Sequence, residues 1–262
     1  MHEIADIACN FTSERFDKDL DDVINRAITN KITKFALICS RLNDLEKLLE
    51  IYNRFTKDMY FTIGVHPHHA NEINDEYLKR LKEAIKDNNP HAIGETGLDF
   101  YRNLSTYEEQ IYAFEEQIKI AIDTNKPLFL HQRDSHDDFI KILRKYSADF
   151  NKAVVHCFTG TQKQLDDYLE LDCYIGVTGW ICDEKRNVEL RKTIKNIPLE
   201  RLMIETDCPY LIPKNLHEKP KNNRNEPCNL NHIVAEIAIL MALDEENLRK
   251  ETLRNTEKFF NA

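Results

Sequence analysis

Eight short runs of apolar and β-branched residues recur along the chain at fairly even spacing: EIADI, FALIC, YFTIGV, HAIGE, PLFLH, AVVHC, CYIGVTG and LMIETD. Between them the period changes. Phe16, Leu20, Val23, Ile24 and Ala27, and later Ile111, Phe114, Ile118 and Ala121, fall at helical spacings that gather them on one face. Ser105 followed by Glu108 fits a capping box at the start of the second of these helices. Two further helices are expected around Leu230 to Leu243 and Asp244 to Phe260. Strands that alternate with helices pair in parallel through right-handed crossovers, and eight of each is the count of an α/β TIM (β/α)8 barrel. No linker, low-complexity tract or break of composition divides residues 1–262, so a single domain is expected. The length agrees, since such barrels run to about 250 residues. An open doubly wound sheet is the competing architecture, but no GxGxxG or GKS/GKT motif follows an early strand.

In an α/β barrel the polar residues at the C-terminal ends of the strands carry the chemistry. The run HAIGE places Glu95 where its apolar stretch ends. A carboxylate at the lip of a core must be paired, metal-bound or protonated, because desolvating it alone is costly. His131 ends the fifth run, His156 the sixth and Asp207 the eighth, and all four residues are of types that bind divalent metal. Singly, each has a plain reading as a hydrogen-bonded histidine or an aspartate capping a turn. Together, at one mouth of a barrel, they converge on one point, and a metal site accounts for them better than four coincidences do.

Other polar residues are less decisive. His66 follows the third run. Asp99, Arg102 and Arg133 either position an anionic group or form ordinary surface ion pairs. His68, His69 and His136 are expected to be solvated or capping residues, with His68 the best functional candidate of the three. Trp180 fits both a packing role and a base-stacking platform.

Composition narrows the field. Hydrophobic residues at 42% and charged residues at 31% describe a globular chain, and no apolar run approaches the roughly 20 residues of a membrane span. The N-terminal stretch shows no signal-peptide pattern, so a cytoplasmic location is expected. Seven cysteines without a CxxC pair argue against a disulfide framework and a thiolate zinc site. A net charge of −9 argues against coating duplex DNA, though not against nucleic acid as a transient substrate. The local exception runs from Lys214 to Arg224, where Lys214, Lys219, Lys221 and Arg224 outnumber Glu218.

The motifs GVHPHHA, IGETGLDFYRN, FLHQRD, VVHCFTGT, YIGVTGWICDE, IETDCPYL and RNEPCNL, in this order across nearly the whole chain, resemble the TatD family of metal-dependent deoxyribonucleases. The resemblance implies a TIM barrel with Glu95, His131, His156 and Asp207 as metal ligands and His66 as a substrate contact. It implies phosphodiester hydrolysis, in the TatD branch as 3′ to 5′ exonuclease action on single-stranded DNA and RNA, with family-level links to DNA repair or degradation. Many members carry a first-strand His-x-His that contributes to a two-metal site. Here the stretch is DIACN, with Ala8 and Asn10, close to the Asp-Ile-Gly-x-Asn of the TatD branch except at Ala8. That pattern implies one tightly bound ion, with any second held more weakly or through water and substrate phosphate.

Phosphodiester hydrolysis needs a nucleophile at neutral pH, neutralisation of phosphoryl charge and a stabilised leaving alkoxide. A bound Mg²⁺, Mn²⁺ or Zn²⁺ supplies the first two, with Mg²⁺ the first expectation and imidazole ligands favouring the others. Asp207 or Glu95 is expected to take the water proton, His66 or Arg133 with Asp99 to position the phosphate, and Lys219, Lys221 and Arg224 to hold the strand. A monomer suffices. The alternatives are a small-molecule metallohydrolase of amidohydrolase or phosphotriesterase type and a non-catalytic barrel scaffold. The first lacks its His-x-His and a bridging lysine here, and the second is disfavoured by four intact ligands.

Overall fold

The computed structural model describes residues 2–220 and 222–261. Eight parallel strands run in sequence order around one sheet: β1 (Ile4–Cys9), β2 (Ile32–Leu37), β3 (Met59–Ile63), β4 (Ala92–Asp99), β5 (Leu128–Arg133), β6 (Ala153–Val155), β7 (Tyr174–Val177) and β8 (Leu202–Ile204). Cys9 and Cys208 form a parallel bridge beyond the end of β8, and the Asn10 amide donates to the Cys208 carbonyl at 2.9 Å, so first and last strands meet and the barrel closes. The crossovers are α1 (Leu20–Thr29), α2 (Leu45–Arg54), α3 (Asp75–Asn88), α4 (Tyr107–Thr124), α5 (His136–Tyr146), α6 (Gln162–Glu170) and α7 (Val188–Thr193), and after β8 follow α8 (Leu230–Met241) and α9 (Glu245–Phe260). Among the described residues no helix is long and apolar enough to cross a membrane.

Burial explains the alternating periods. Leu20, Val23, Ile24 and Ala27 of α1 and Phe114, Ile118 and Ala121 of α4 are buried between helix and sheet. Phe16 is buried too, but in a short 3₁₀ turn ahead of α1. The capping box of α4 lies one residue later than the sequence suggests: Thr106 and Glu109 make the reciprocal pair, because the Ser105 hydroxyl instead accepts from the Asn71 amide at 3.2 Å.

A second buried cluster takes Ile7, Ala36, Tyr60, Ala92, Phe129, Val154, Tyr174 and Met203, one from each strand, and must therefore be the barrel interior. Phe259 and Phe260 of α9 belong to it. Phe260 stacks on Tyr60 with ring centroids 4.8 Å apart, and Phe259 meets Tyr174 edge-on at 5.7 Å. Tyr60, Ala92 and Tyr174 lie at or near the starts of their strands, so the last helix plugs the N-terminal end. The C-terminal end is left to polar residues.

Candidate metal centre

β4 carries the first carboxylates. Ile93 pairs with Leu128 and Thr96 with Leu130, so β4 advances three residues where β5 advances two. Such a bulge re-aims side chains, and it sits at Gly94–Glu95. Glu95 therefore lies within the strand rather than at its end, and β4 continues to Asp99. Gly97, with φ +145°, lies against the His131 carbonyl so closely that a Cβ would overlap it. No other residue fits there, and this contact lets Glu95 and Asp99 flank His131.

Glu95 Oε1 is the convergence point. It lies 2.9 Å from His131 Nδ1, 2.8 Å from His156 Nε2 and 3.3 Å from His66 Nε2. His131 Nδ1 and His156 Nε2 are 3.4 Å apart. Asp207, three residues beyond β8 in a left-handed turn (φ 53°), is held by Asn10, whose Nδ2 donates to Asp207 Oδ1 at 2.9 Å. Asn10 follows the end of β1 directly, and its work here is to orient the Asp207 carboxylate. The loop bearing Asp207 is tied down by Asp6, which accepts from the Thr206 amide at 2.9 Å and the Thr206 hydroxyl at 2.5 Å.

Hydrogen bonding assigns the ring nitrogens. His66 Nδ1 accepts from the His68 amide at 3.0 Å, so neutral His66 carries its proton on Nε2, the atom that faces Glu95. It can donate to an anionic oxygen but has no lone pair free for a cation. This separates His66 from Glu95 and His131, although the three together lie close enough to surround an ion. His131 Nε2 lies 3.4 Å from Asp99 Oδ2, and His156 Nδ1 lies 3.5 Å from Glu205 Oε1. Each imidazole thus has a carboxylate behind it and its other nitrogen turned to the centre, the arrangement that orients histidines toward metal.

The electrostatics want a cation. Burial alone would raise the Glu95 carboxyl, but the surrounding imidazoles hold it well below its ordinary range. Burial, reinforced by Glu95 and Glu205, lifts Asp207 to about 7 against the pull of His156 and Asn10. Burial also lowers His66 to about 4, so it is neutral at neutral pH. It pushes His131 and His156 down as well, yet the carboxylates at their backs and fronts outweigh it and both titrate above the ordinary imidazole range. Glu205 Oε2, His131 Nε2 and His156 Nδ1 are buried without a hydrogen-bonding partner among the described residues. Protons on imidazoles here compensate negative charge that a divalent ion would neutralise, and the oxygen and nitrogen donors of Glu95, His131, His156 and Asp207 suit such an ion.

Not every residue singled out from sequence joins this centre. Arg224 is 5% exposed: its guanidinium donates to Asp19 at 2.7 Å, to Glu226 at 2.7 Å and to the Arg15 carbonyl, above the Phe16 ring. It is committed to locking the 214–226 loop onto α1, and strand binding cannot use it. Lys219 is exposed, and Lys221 lies outside the described residues. Arg133 is exposed, with its guanidinium 3.8 Å from the centroid of the Tyr101 ring. His136 is buried rather than solvated, between Tyr168 (3.0 Å) and Asp167 (2.9 Å). Arg102 gives its backbone amide to Asp99 at 2.8 Å. His68 Nε2 lies 2.8 Å from Asp99 Oδ2, which brings it to the edge of the cluster. Trp180 is half-buried against the core. Glu205 was not anticipated. Its only sequence signal was its place two residues ahead of Asp207 at the end of the eighth run.

Comparison with known proteins decides the family. The family model described as TatD related DNase matches residues 5–261. The chain belongs to the TatD-related DNase family. It is 42% identical over 255 residues to the 3′-5′ ssDNA/RNA exonuclease TatD of Erwinia billingiae, covering 97% of this chain and 98% of that protein. The protein of the same name from Cronobacter sakazakii is 41% identical, covering 97% of each. Among solved structures, a TatD-family hydrolase from Entamoeba histolytica superposes with a TM-score of 0.89 at 29% identity, covering 98% of both chains. The TatD homologue YJJV from Escherichia coli K12 superposes with a TM-score of 0.90 at 26% identity, covering 99% of this chain and 98% of that one. Family membership brings with it a divalent-metal hydrolase.

Proposed function

We propose that this protein is a metal-dependent nuclease that removes nucleotides from the 3′ end of single-stranded DNA or RNA. The carrying observation is the buried Glu95 oxygen ringed by His131, His156 and His66 within 3.3 Å, with Asp207 held in electrostatic reach by Asn10. The names of the curated relatives supply the substrate class.

Glu95, His131, His156 and Asp207 would hold the ion. When bound, a divalent cation supplies Lewis acidity toward the phosphoryl oxygens and acidifies water. The chain's own groups supply the rest. The Asp207 or Glu95 carboxylate would accept the proton of attacking water. Neutral His66 offers Nε2–H to a phosphoryl oxygen. Asp99 and Glu205 keep His131 and His156 turned inward. Mg²⁺, Mn²⁺ and Zn²⁺ all suit two imidazoles and two carboxylates, with Mg²⁺ the first to test. Lys219, which is exposed, would extend the strand path.

The test follows 5′-labelled single-stranded DNA with each metal or with chelator. Stepwise shortening from the 3′ end, abolished by chelator and reduced at least about 10³-fold in Glu95→Gln, an effect of about 4 kcal/mol, is expected. Undiminished cleavage by Glu95→Gln, or products released from the 5′ end, would overturn the assignment.

A further inference from the structure

A cavity of about 470 Å³ opens beside the metal centre, between the loop after β5 and the loop after β6, lined among others by Phe100, Arg133, Asp134, Asp138, Thr159 and Gly160. Its size is in the range that holds a small organic ligand. Its position ties it to the reaction. Arg133 follows His131 by two residues on β5, hence on the same face and displaced toward the mouth by about 6.6 Å. Thr159 follows His156 by three residues. Arg133 also pairs with Asp99 across β4 and β5, so a strand whose terminal phosphodiester lies on the metal centre can extend its neighbouring nucleotide toward this cavity.

The lining divides by chemistry. Arg133 stands at the rim with its guanidinium carbon 3.8 Å from the centroid of the exposed Tyr101 ring. Among the described residues it forms no ion pair, in contrast to the triply engaged Arg224. A guanidinium without a carboxylate partner suits a phosphate. Phe100, packed on Tyr107 with centroids 5.3 Å apart, offers an aromatic wall on which a base can lie. Asp134 and Asp138 repel phosphate from the interior but accept hydrogen bonds from exocyclic amines, as carboxylates do from the amino group of cytosine.

Resting on the exonuclease reading above, we propose that this cavity is a nucleobase subsite for the nucleotide adjoining the one removed, with Arg133 on the connecting phosphate. It takes bases that carry an exocyclic amino group in preference to thymine or uracil. A base can enter only when unstacked, so the cavity also discriminates against paired 3′ ends.

The experiment compares 5′-labelled oligonucleotides that differ only in the penultimate base, cytosine against thymine and guanine against hypoxanthine, the latter pair differing by one amino group. First-cleavage kcat/KM is expected to favour the amino-bearing base by about 3- to 10-fold, the scale of one hydrogen bond. Thr159→Trp, which fills the cavity, and Arg133→Ala, an exposed change that keeps the test valid should the first variant misfold, are both followed. The former is expected to abolish the preference, and the latter to raise KM and lower the salt slope by about one. Hydrolysis of bis(4-nitrophenyl) phosphate, which has no penultimate base, should stay within twofold in Thr159→Trp. Equal rates for all four bases with that diester still hydrolysed would overturn the subsite and leave the metal centre standing. Loss of all hydrolysis in the wild type would overturn the nuclease reading; fluorescence anisotropy of the same oligonucleotides on wild type in chelator then decides the subsite, supporting it if the ranking persists and sinking it if not.

Discussion

The two ends of the barrel are built from the same alternation of strand side chains and could hardly differ more. At the N-terminal end Tyr60, Tyr174, Phe259 and Phe260 close the cylinder with packed rings. At the C-terminal end Glu95, Asp99 and Glu205 are buried and Asp207 is partly buried around His66, His131 and His156, and several buried polar atoms lack hydrogen-bonding partners among the described residues. The first end gains from every atom removed from water, and the second pays desolvation that only a cation and substrate can recover. Stability and function therefore occupy opposite rims of one scaffold, separated by the layers of apolar side chains between them.

If that separation is real, damage to one end should leave the other intact. Phe259→Ala is expected to cost about 3–5 kcal/mol of stability by cavity formation. Activity per folded molecule should be unchanged, read by denaturant melts beside metal titration; a parallel loss of metal affinity would show that the ends are coupled. Arg224→Ala breaks a buried ion group whose partner Asp19 is partly exposed, so about 2–3 kcal/mol of stability should be lost with KM for oligonucleotides unaltered. A raised KM at normal stability would return Arg224 to the substrate path.

At the other rim the effects should fall on metal rather than on folding. Glu205→Gln is expected to weaken metal binding 10- to 100-fold, about 1.4–2.7 kcal/mol, through the misorientation of His156. Calorimetric titration of the ion checks it, and a melting temperature lowered in step with affinity would make Glu205 a purely structural residue. The smallest effect is in pH. Burial lifts Asp207 to about 7 from an ordinary 3.8, so the stability it contributes is full below pH about 4 and is lost as pH rises through about 7. His66, lowered to about 4 from 6.5, acts oppositely: its contribution is present above pH about 6.5 and is lost as pH falls through about 4. Metal binding must displace the Asp207 proton as well as those on His131 and His156, so affinity should climb by at least about tenfold per pH unit below 7, and Asp207→Asn should make the dependence shallower by about one proton.

Much of this was legible in the chain. Eight apolar runs separated by helical periods specify a closed parallel barrel, because period 2 and period 3.6 each leave one burial solution and short connections leave one order. The same logic put Glu95, His131, His156 and Asp207 at one mouth, since a polar residue closing an apolar run has nowhere else to go. What the pattern could not carry was pairing at a distance. Arg224 looks like a free cation beside Lys219 until the fold brings Asp19 from more than 200 residues away. Glu205 hides in an apolar run until His156 and the Cys157 amide close on it at 3.5 and 2.5 Å. His136 reads as a capping residue until Asp167 arrives. Local periodicity determines which face of an element is buried, whereas the state of a charge depends on what lies within a few ångströms in space, and only the tertiary structure decides that.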